Sequence, residues 1–531
     1  MFDLIIHNGT VINGEGTPSV AQDVAISNGK IVGMGQFGDH NASRKINAAG
    51  LVIAPGFIDI HSHSDWTLMP YPRAETSLRQ GITTEVVGNC GLSFAPVGDK
   101  DLLASIIPEF VRDAIELKWS SFGEYLYRLA IQGLAINILH LVGHSALRIA
   151  VMGFDPRPPT ATELVEMGTL LRESLDHGAG GLSFGLEYPP GNNTVFSEMV
   201  ALCKVVARRG LFFSIHMRDQ DQGYLEAIQE ALEVARQSGA SLEISHIPPH
   251  AGLEANLGEK ALELVQEARQ EGIDVNFDAH PYLWNQTFMS TFLPPWAFSG
   301  GVGKTLERLS DPTSRAQIKQ FDNRLFQQLF DANRWDKFVL SQSAAHPDLI
   351  GKNFFEIAEI RNTGPEEAVM DLLLEESEAL YSAMWLVKGI DETAIPSILR
   401  NQNFIFGSDG VALSLEGPLG ATRMHPRCWG STAKFLGDHV RKGKLLSLEE
   451  AVHTMTAKPA RKIGLTDRGT LGEGMVADIV LFNPETIEDL ATYRDPNCHP
   501  SGIEYVFLNG EAVLDRGVQT NAMPGRILQS S

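Results

Sequence analysis

The sequence predicts an α/β chain: a closed (β/α)8 TIM-like barrel, a small β-sandwich domain built from both termini, and a long lid insertion after a late barrel strand. Three observations carry that expectation. The middle alternates strand-like and helix-like segments, both ends read as short strands broken by Asn-Gly and Gly-rich turns, and one long stretch fits neither rhythm. At 531 residues, 43% of them hydrophobic, the chain can bury a barrel-sized core with residues to spare.

In residues 1–54, Leu4 to Ile6, Val24 to Ile26 and Ile31 to Met34 alternate in the manner of half-buried strands, separated by Asn8-Gly9, Asn13-Gly14 and Asn28-Gly29. Residues 466–531 repeat this style in Ala477 to Phe482 and Tyr505 to Gly510. Two β-rich ends around a different middle suggest one domain assembled from both. Within 55–465, Thr160 to His177 reads as a helix, with Thr160 and Glu163 as a capping box and Leu164, Met167, Leu171 and Leu175 on one face. Further helices are expected near 198–209, 224–237 and 259–270, and Ser447 with Glu450 caps another. Strands are expected at Leu211 to Ile215, Leu242 to Ser245, Val275 to Asp278 and Phe404 to Phe406. So many strand–helix units favour a closed barrel over an open sheet. Residues from about 283 to 390, first rich in Trp, Phe and Pro and then helical, are too long for one connection and read as a lid.

Composition narrows the partners. A formal charge of -22 argues against nucleic acid or an anionic membrane surface. The four cysteines (Cys90, Cys203, Cys428, Cys498) are far apart and form no Cys-x-x-Cys, as in a reduced, cytoplasmic protein. No signal peptide and no bilayer-length apolar run are evident. Oligomeric state stays open, a homo-oligomer included.

Polar residues at the ends of these strands form the chemical signal. Gly56-Phe57-Ile58-Asp59-Ile60 leads into His61 and His63, whose i, i+2 spacing on a strand puts both imidazoles on one face. Thr83 to Asn89 ends in Cys90, Leu211 to Ile215 in His216, Leu242 to Ser245 in His246, and Phe404-Ile405-Phe406-Gly407-Ser408 in Asp409. Each alone has a plain structural use, as a core histidine, a small buried thiol or an Asp-Gly turn. Placed together at five strand ends, which converge on one face of a barrel, they make a donor set suited to zinc.

These residues resemble the amidohydrolase superfamily: His-x-His after Gly-Phe-Ile-Asp, two later strand-end histidines, and Ser408-Asp409-Gly410. Closer motifs resemble the D-aminoacylase (N-acyl-D-amino-acid deacylase) family: Gln80 to Gly91, Gly181 to Gly191, His425-Pro426-Arg427, and Gly469 to Asp478 at the return to the β-domain. The likeness spans essentially the whole chain and is weakest in the lid. It implies a zinc ion held tightly by Cys90, His216 and His246, with His61 and His63 offering a second, weaker divalent position. The cysteine takes the bridging place that a carboxylated lysine fills in hydantoinases. Asp409, also a metal donor, is expected to take a proton as hydroxide attacks a small-molecule N-acyl substrate, and to return it to the leaving amine. Arg427 is the expected carboxylate anchor, and Tyr188 and Tyr282 match substrate-binding positions.

The chain also departs from that family. Pro248 stands at about the place of a lysine that helps hold the substrate carboxylate, and His280 where a tyrosine or another residue is commoner. His250 is read either as a partial substitute for that lysine or, more readily beside two prolines, as an exposed loop residue, Arg218 as either a group supporting the site or a structural ion pair, and His144 as a structural hydrogen bond. The hydrolytic core is intact; the departures bear on the substrate, with another amide or carbamoyl compound as the alternative to an N-acyl-D-amino acid. The rival readings are a cyclic-amide hydrolase of the hydantoinase or dihydroorotase type, and a non-catalytic barrel scaffold.

Overall fold

Eight short buried segments pair in parallel to form the central sheet: β1 (Phe57–Asp59), β2 (Ile82–Val87), β3 (Asn137–Gly143), β4 (Gly181–Gly185), β5 (Phe212–His216), β6 (Ser241–Ile244), β7 (Val275–Ala279) and β8 (Phe404–Phe406). Each pairs with the next, and β8 returns to β1 through the Ile60 N–H on the Phe406 carbonyl (3.4 Å) and the Asp409 N–H on the His61 carbonyl (2.8 Å). The sheet is thereby a (β/α)8 barrel, as the alternation predicts. The computed structural model describes residues 1–530 except 38, 39, 108, 113, 378, 379, 381 and 382; the last four belong to the predicted lid segment, so that part of it lies outside the described residues.

Helices cover the outer face of the barrel. The one expected at 160–177 spans Ala161–Asp176, with both capping bonds between Thr160 and Glu163 in place, and Ser447 with Glu450 caps Leu448–Met455 in the same way. Inside the barrel, Ile58, Ile60, Val86, Leu139, Leu141, Phe212 and Ile405 pack together with Leu528. Leu528 arrives on the C-terminal tail, whose residues 524 and 527 bridge to 134 and 138 beside the start of β3. The tail thus leaves the β-domain and covers apolar surface at the base of the barrel that would otherwise meet water.

Both termini build the second domain. A four-stranded sheet runs in the order Lys30–Gly35, Asp23–Ser27, Phe2–His7, Ala42–Asn47. In a seven-stranded sheet, Val52–Pro55 pairs antiparallel with Ile479–Phe482, which joins the two ends of the chain. Leu4, Ile6, Val24, Ile26, Ile53, Ile479, Leu481 and Phe507 form the core between the sheets, giving the sandwich.

The predicted insertion lies between β7 and β8. Its helices, Gly301–Ser310, Phe354–Arg361 and Pro365–Glu375 among them, accompany a three-stranded antiparallel sheet in the order Asn285–Phe288, Met384–Val387, Phe338–Gln342. These strands, four or five residues long, were not expected in the insertion. Aromatic packing holds the insertion together, with Phe330 stacked on Phe338 at 4.7 Å and both beside Trp385. The strand Asn285–Phe288 reaches back over the mouth of the barrel.

Candidate metal centre

Every candidate donor stands at the C-terminal end of a barrel strand. His61 and His63 follow β1, Cys90 follows β2, His216 ends β5, His246 follows β6 and Asp409 follows β8. Three of them leave their strands in the left-handed region that side chains rarely adopt: Cys90 (φ 51°), His246 (φ 34°) and Asp409 (φ 52°). Each such turn costs on the order of 1–3 kcal/mol. Surrounding bonds impose it, the His246 N–H donating to Asp278 Oδ1 (2.8 Å) and the Asp409 N–H to the His61 carbonyl (2.8 Å). The Cys90 turn also needs Gly185, where a Cβ would stand 2.0 Å from the Cys90 carbonyl oxygen.

The structure brings all six candidates together in two overlapping groups: His61, His63, Cys90 and Asp409, and Cys90, His216 and His246, with donor atoms within 4.8 Å of one another in each group. Cys90 belongs to both. Its Sγ lies 3.3 Å from His61 Nε2 and 3.7 Å from His246 Nε2. Asp409 Oδ1 lies 3.4 Å from His61 Nε2 and 3.2 Å from His63 Nε2.

Three residues absent from the sequence-based set orient these donors. Asp278 at the end of β7 accepts from His61 Nδ1 (2.9 Å), the Gln220 amide holds His246 Nδ1 (2.7 Å), and Glu187 binds His216 Nε2 (2.6 Å). Glu187 lies inside a motif singled out from the sequence; for Asp278 the available signal was its inward place on a recognised strand.

The donor set fits a zinc-like ion. It offers one thiolate, imidazole nitrogens and one carboxylate; the outer nitrogens of His61 and His246 are engaged, and His216 Nδ1 is buried without a partner among the described residues. Electrostatics agree. Burial pushes the Cys90 thiol up, but His61, His216 and His246 outweigh it and hold the group well below the usual thiol range. Burial likewise favours a neutral Asp409, yet Arg427, His61 and His63 hold its carboxyl well below the usual carboxylate range. Against burial, Asp409 and Cys90 raise His63 to about 9, and Glu187 and Cys90 raise His216 to about 10. The anions therefore draw positive charge to the centre, a demand that a divalent cation meets with neutral imidazoles.

The substrate-binding candidates separate. Arg427 Nη1 lies 2.7 Å from Asp409 Oδ2, directly at the cluster. Tyr188 packs its ring on His216 (centroids 4.7 Å apart) and shares a hydrogen bond with Thr287 Oγ1 (3.0 Å). Tyr282 turns away: its hydroxyl donates to Asp489 Oδ2 (2.8 Å), and its ring packs edge-on to His425 behind Arg427. His280 is buried, neither ring nitrogen has a partner among the described residues, and burial together with Arg427 lowers it to about 3. His250 is not the exposed loop residue expected; it is 2% exposed, donates from Nδ1 to Asp221 Oδ1 (2.9 Å) and stacks on Phe326 of the insertion at 4.2 Å. Arg218 pairs with Glu230 (3.0 Å) and the Thr194 carbonyl (2.9 Å), and His144 with Glu198 (2.8 Å), so both serve the scaffold.

Comparison with known proteins agrees with this geometry. Residues 44–514 match the model of the amidohydrolase family. The chain is 34% identical to N-acyl-D-glutamate deacylase of Alcaligenes xylosoxydans xylosoxydans over 99% of its own length and 96% of that protein's, and 30% identical to D-aminoacylase of the same organism over 99% and 97%. The crystal structure of N-acyl-D-glutamate deacylase from Bordetella bronchiseptica, complexed with zinc and a phosphonate that mimics the tetrahedral intermediate, superposes with a TM-score of 0.82 at 31% identity over 99% of both chains. With the fold, the donor set and these likenesses all extending over nearly the whole chain, it belongs to the amidohydrolase family, as a metal-dependent hydrolase of amide bonds on the D-aminoacylase branch.

Proposed function

We propose that this chain hydrolyses the amide bond of an N-acyl-D-amino acid or a related N-acyl compound, with Asp409 as the group that carries the proton. The observation behind this reading is the position of Asp409, one oxygen against His61 and His63 at the donor cluster and the other 2.7 Å from Arg427. Cys90, His216 and His246 would hold zinc tightly, and His61, His63 and Asp409 a second, weaker ion. Bound zinc supplies Lewis acidity, polarising a carbonyl and acidifying water. Asp409 accepts a proton from water as the water oxygen bonds to the carbonyl carbon, and passes that proton to the nitrogen as the C–N bond breaks. The second water proton also ends on the nitrogen, so a carboxylate and an ammonium leave. Arg427 meets the substrate carboxylate, and Tyr188 borders the reacting centre.

Cys90 stands where a cyclic-amide hydrolase of the hydantoinase type would be expected to carry a carboxylated lysine, and among the described residues no lysine lines the cavity that Tyr188, His246, Asp409 and Arg427 border. All four cysteines are free, which supports a reducing, cytoplasmic setting. Metal content by elemental analysis, together with hydrolysis of paired N-acetyl-D- and N-acetyl-L-amino acids, tests the proposal. Metal-dependent turnover of the D series supports it. A protein that binds no divalent ion, or that hydrolyses only cyclic amides, overturns it.

A further inference from the structure

A buried carboxylate joins the insertion to the barrel loops that carry the metal-side histidines. Asp221 stands on the loop after β5, its backbone N–H held by Asp219 Oδ1 (2.7 Å). Its Oδ1 accepts from Nδ1 of His250, on the loop after β6 (2.9 Å), and its Oδ2 accepts the backbone N–H of Phe326 in the insertion. Phe326 is left-handed (φ 67°), a conformation that a bulky residue keeps only where its surroundings impose it. Here Asp221 holds its N–H, and its ring stacks on His250 at 4.2 Å. Gly389 closes on the same ring so tightly that a Cβ there would stand 2.6 Å away. Backbone bonds from the Ala251 N–H to the Gly389 carbonyl (2.7 Å) and from the Asp391 N–H to the Pro249 carbonyl (3.0 Å) tie the insertion to the His250 loop again.

The connection continues inward to a metal-side donor. Gln220, next to Asp221, holds His246 Nδ1 through its side-chain amide (2.7 Å), and its carbonyl accepts the His250 N–H (3.5 Å). Residues 220–221 and 246–250 are thereby cross-linked at three places, Gln220 to His246, Gln220 to His250 and Asp221 to His250. Pro248 and Pro249 remove backbone freedom between the two histidines. The Tyr224 hydroxyl adds a bond to the Ile247 carbonyl (2.7 Å). Leu325 and Phe326 also line the cavity that His216, His246 and Asp409 border, and Leu325 lines an outer cavity of about 220 Å³ on its other side. The segment that Asp221 grips is therefore part of the wall between the two.

We infer that Asp221 is a positioning residue that clasps the insertion onto the barrel and, through the adjoining Gln220, fixes His246 in its ligating orientation. This rests on the reading of His246 as a zinc ligand and adds to it a route by which the insertion and the metal stabilise each other.

Coupling of this kind is reciprocal, so zinc bound at His246 should tighten the clasp. Hydrogen exchange of the wild-type protein reads this directly: backbone amides of residues 325–331 should exchange about 10-fold or more slowly with zinc than without it. Asp221→Ala leaves two buried donors without an acceptor, and should abolish that slowing and weaken zinc by about 10–100-fold in chelator competition. Asp221→Asn should retain most of both, its oxygen taking the Phe326 N–H and its amide facing His250 in the other tautomer. In a Gln220→Ala background, Asp221→Ala should cost little further zinc affinity, because the relay is already cut; a merely structural Asp221 would cost as much in either background. The wild-type exchange comparison stands however the variants fold. Equal exchange with and without zinc in a protein that binds zinc, or additive losses in the double variant, overturns this inference and leaves the deacylase reading intact. A wild-type protein that binds no zinc removes the parent reading and this one with it.

Discussion

The carboxylate of Asp278 lies 2.9 Å from Nδ1 of His61, and its other oxygen accepts the backbone N–H of His246 at 2.8 Å. One buried side chain thereby sets the ring orientation of a donor on β1 and the left-handed turn of a donor after β6. It connects the two overlapping donor groups through its two oxygens, as Cys90 connects them by belonging to both. Asp278→Asn keeps the shape but loses the anionic acceptor that fixes the His61 tautomer. Groups that support metal ligands in this way are typically worth about 10–100-fold in metal affinity. Chelator competition should show a loss of that order, with a native-like circular dichroism spectrum; unchanged affinity would remove Asp278 from this role.

Asp409 presents its two oxygens to two tasks, and Asp409→Asn separates them. The amide can still stand between His63 and Arg427, so the tight zinc position on Cys90, His216 and His246 should remain filled by elemental analysis. The amide cannot accept a proton from water, and turnover should fall by about 10²–10⁴-fold, the span of acid–base catalysis by a positioned side chain. A variant that loses zinc in proportion to activity would make Asp409 a ligand first and a proton carrier second.

Arg427 is buried and faces Asp409, so Lys at this position is not a conservative change: it keeps the charge and loses the planar fork that can meet two carboxylates at once. Arg427→Lys should raise KM for an N-acyl-D-amino acid by about 10–100-fold, the worth of a hydrogen bond to a charged group, with a smaller change in kcat. The same variant should treat the corresponding α-carboxamide almost as the wild type does. Equal losses on both substrates would show that Arg427 acts through Asp409 and not on the carboxylate.

The donors were legible because each is a polar residue following an apolar strand, and the closed barrel brings such ends together wherever they lie in the chain. The residues that hold them were less so. Gln220 and Asp278 act through side-chain direction, which spacing along one strand or loop does not specify. The bond of the Tyr282 hydroxyl to Asp489, 207 positions away, is hidden for the same reason, since local pattern does not reveal such a partner. His250 reads as exposed beside Pro248 and Pro249, yet Asp221 and Phe326 enclose it from two other segments. The insertion's strands and the Leu528 plug escaped because both depend on packing against surfaces already formed.

Stability should carry a pH signature from a histidine remote from the donor cluster. His140 on β3 is fully buried, its ring edge-on to Phe122 and Tyr125 at 5.2 Å each, with Nδ1 donating to the Leu141 carbonyl (2.7 Å). Burial lowers it from 6.5 to about 4, with that one hydrogen bond only partly opposing the shift. The unfolded chain therefore binds a proton at His140 below pH 6.5 that the folded chain refuses until about pH 4. Stability contributed by the neutral ring is present above 6.5, declines as pH falls through this window, and is fully lost below 4. Between pH 7 and pH 5 the loss is about 2 kcal/mol at 1.36 kcal/mol per unit. His140→Phe keeps an aromatic ring against Phe122 and Tyr125 and cannot titrate. Its urea-unfolding free energy should fall between pH 7 and pH 5 by about 2 kcal/mol less than that of the wild type, since every other group titrates equally in the two proteins. Parallel pH profiles would mean that His140 accepts its proton in the folded state as readily as in the unfolded one.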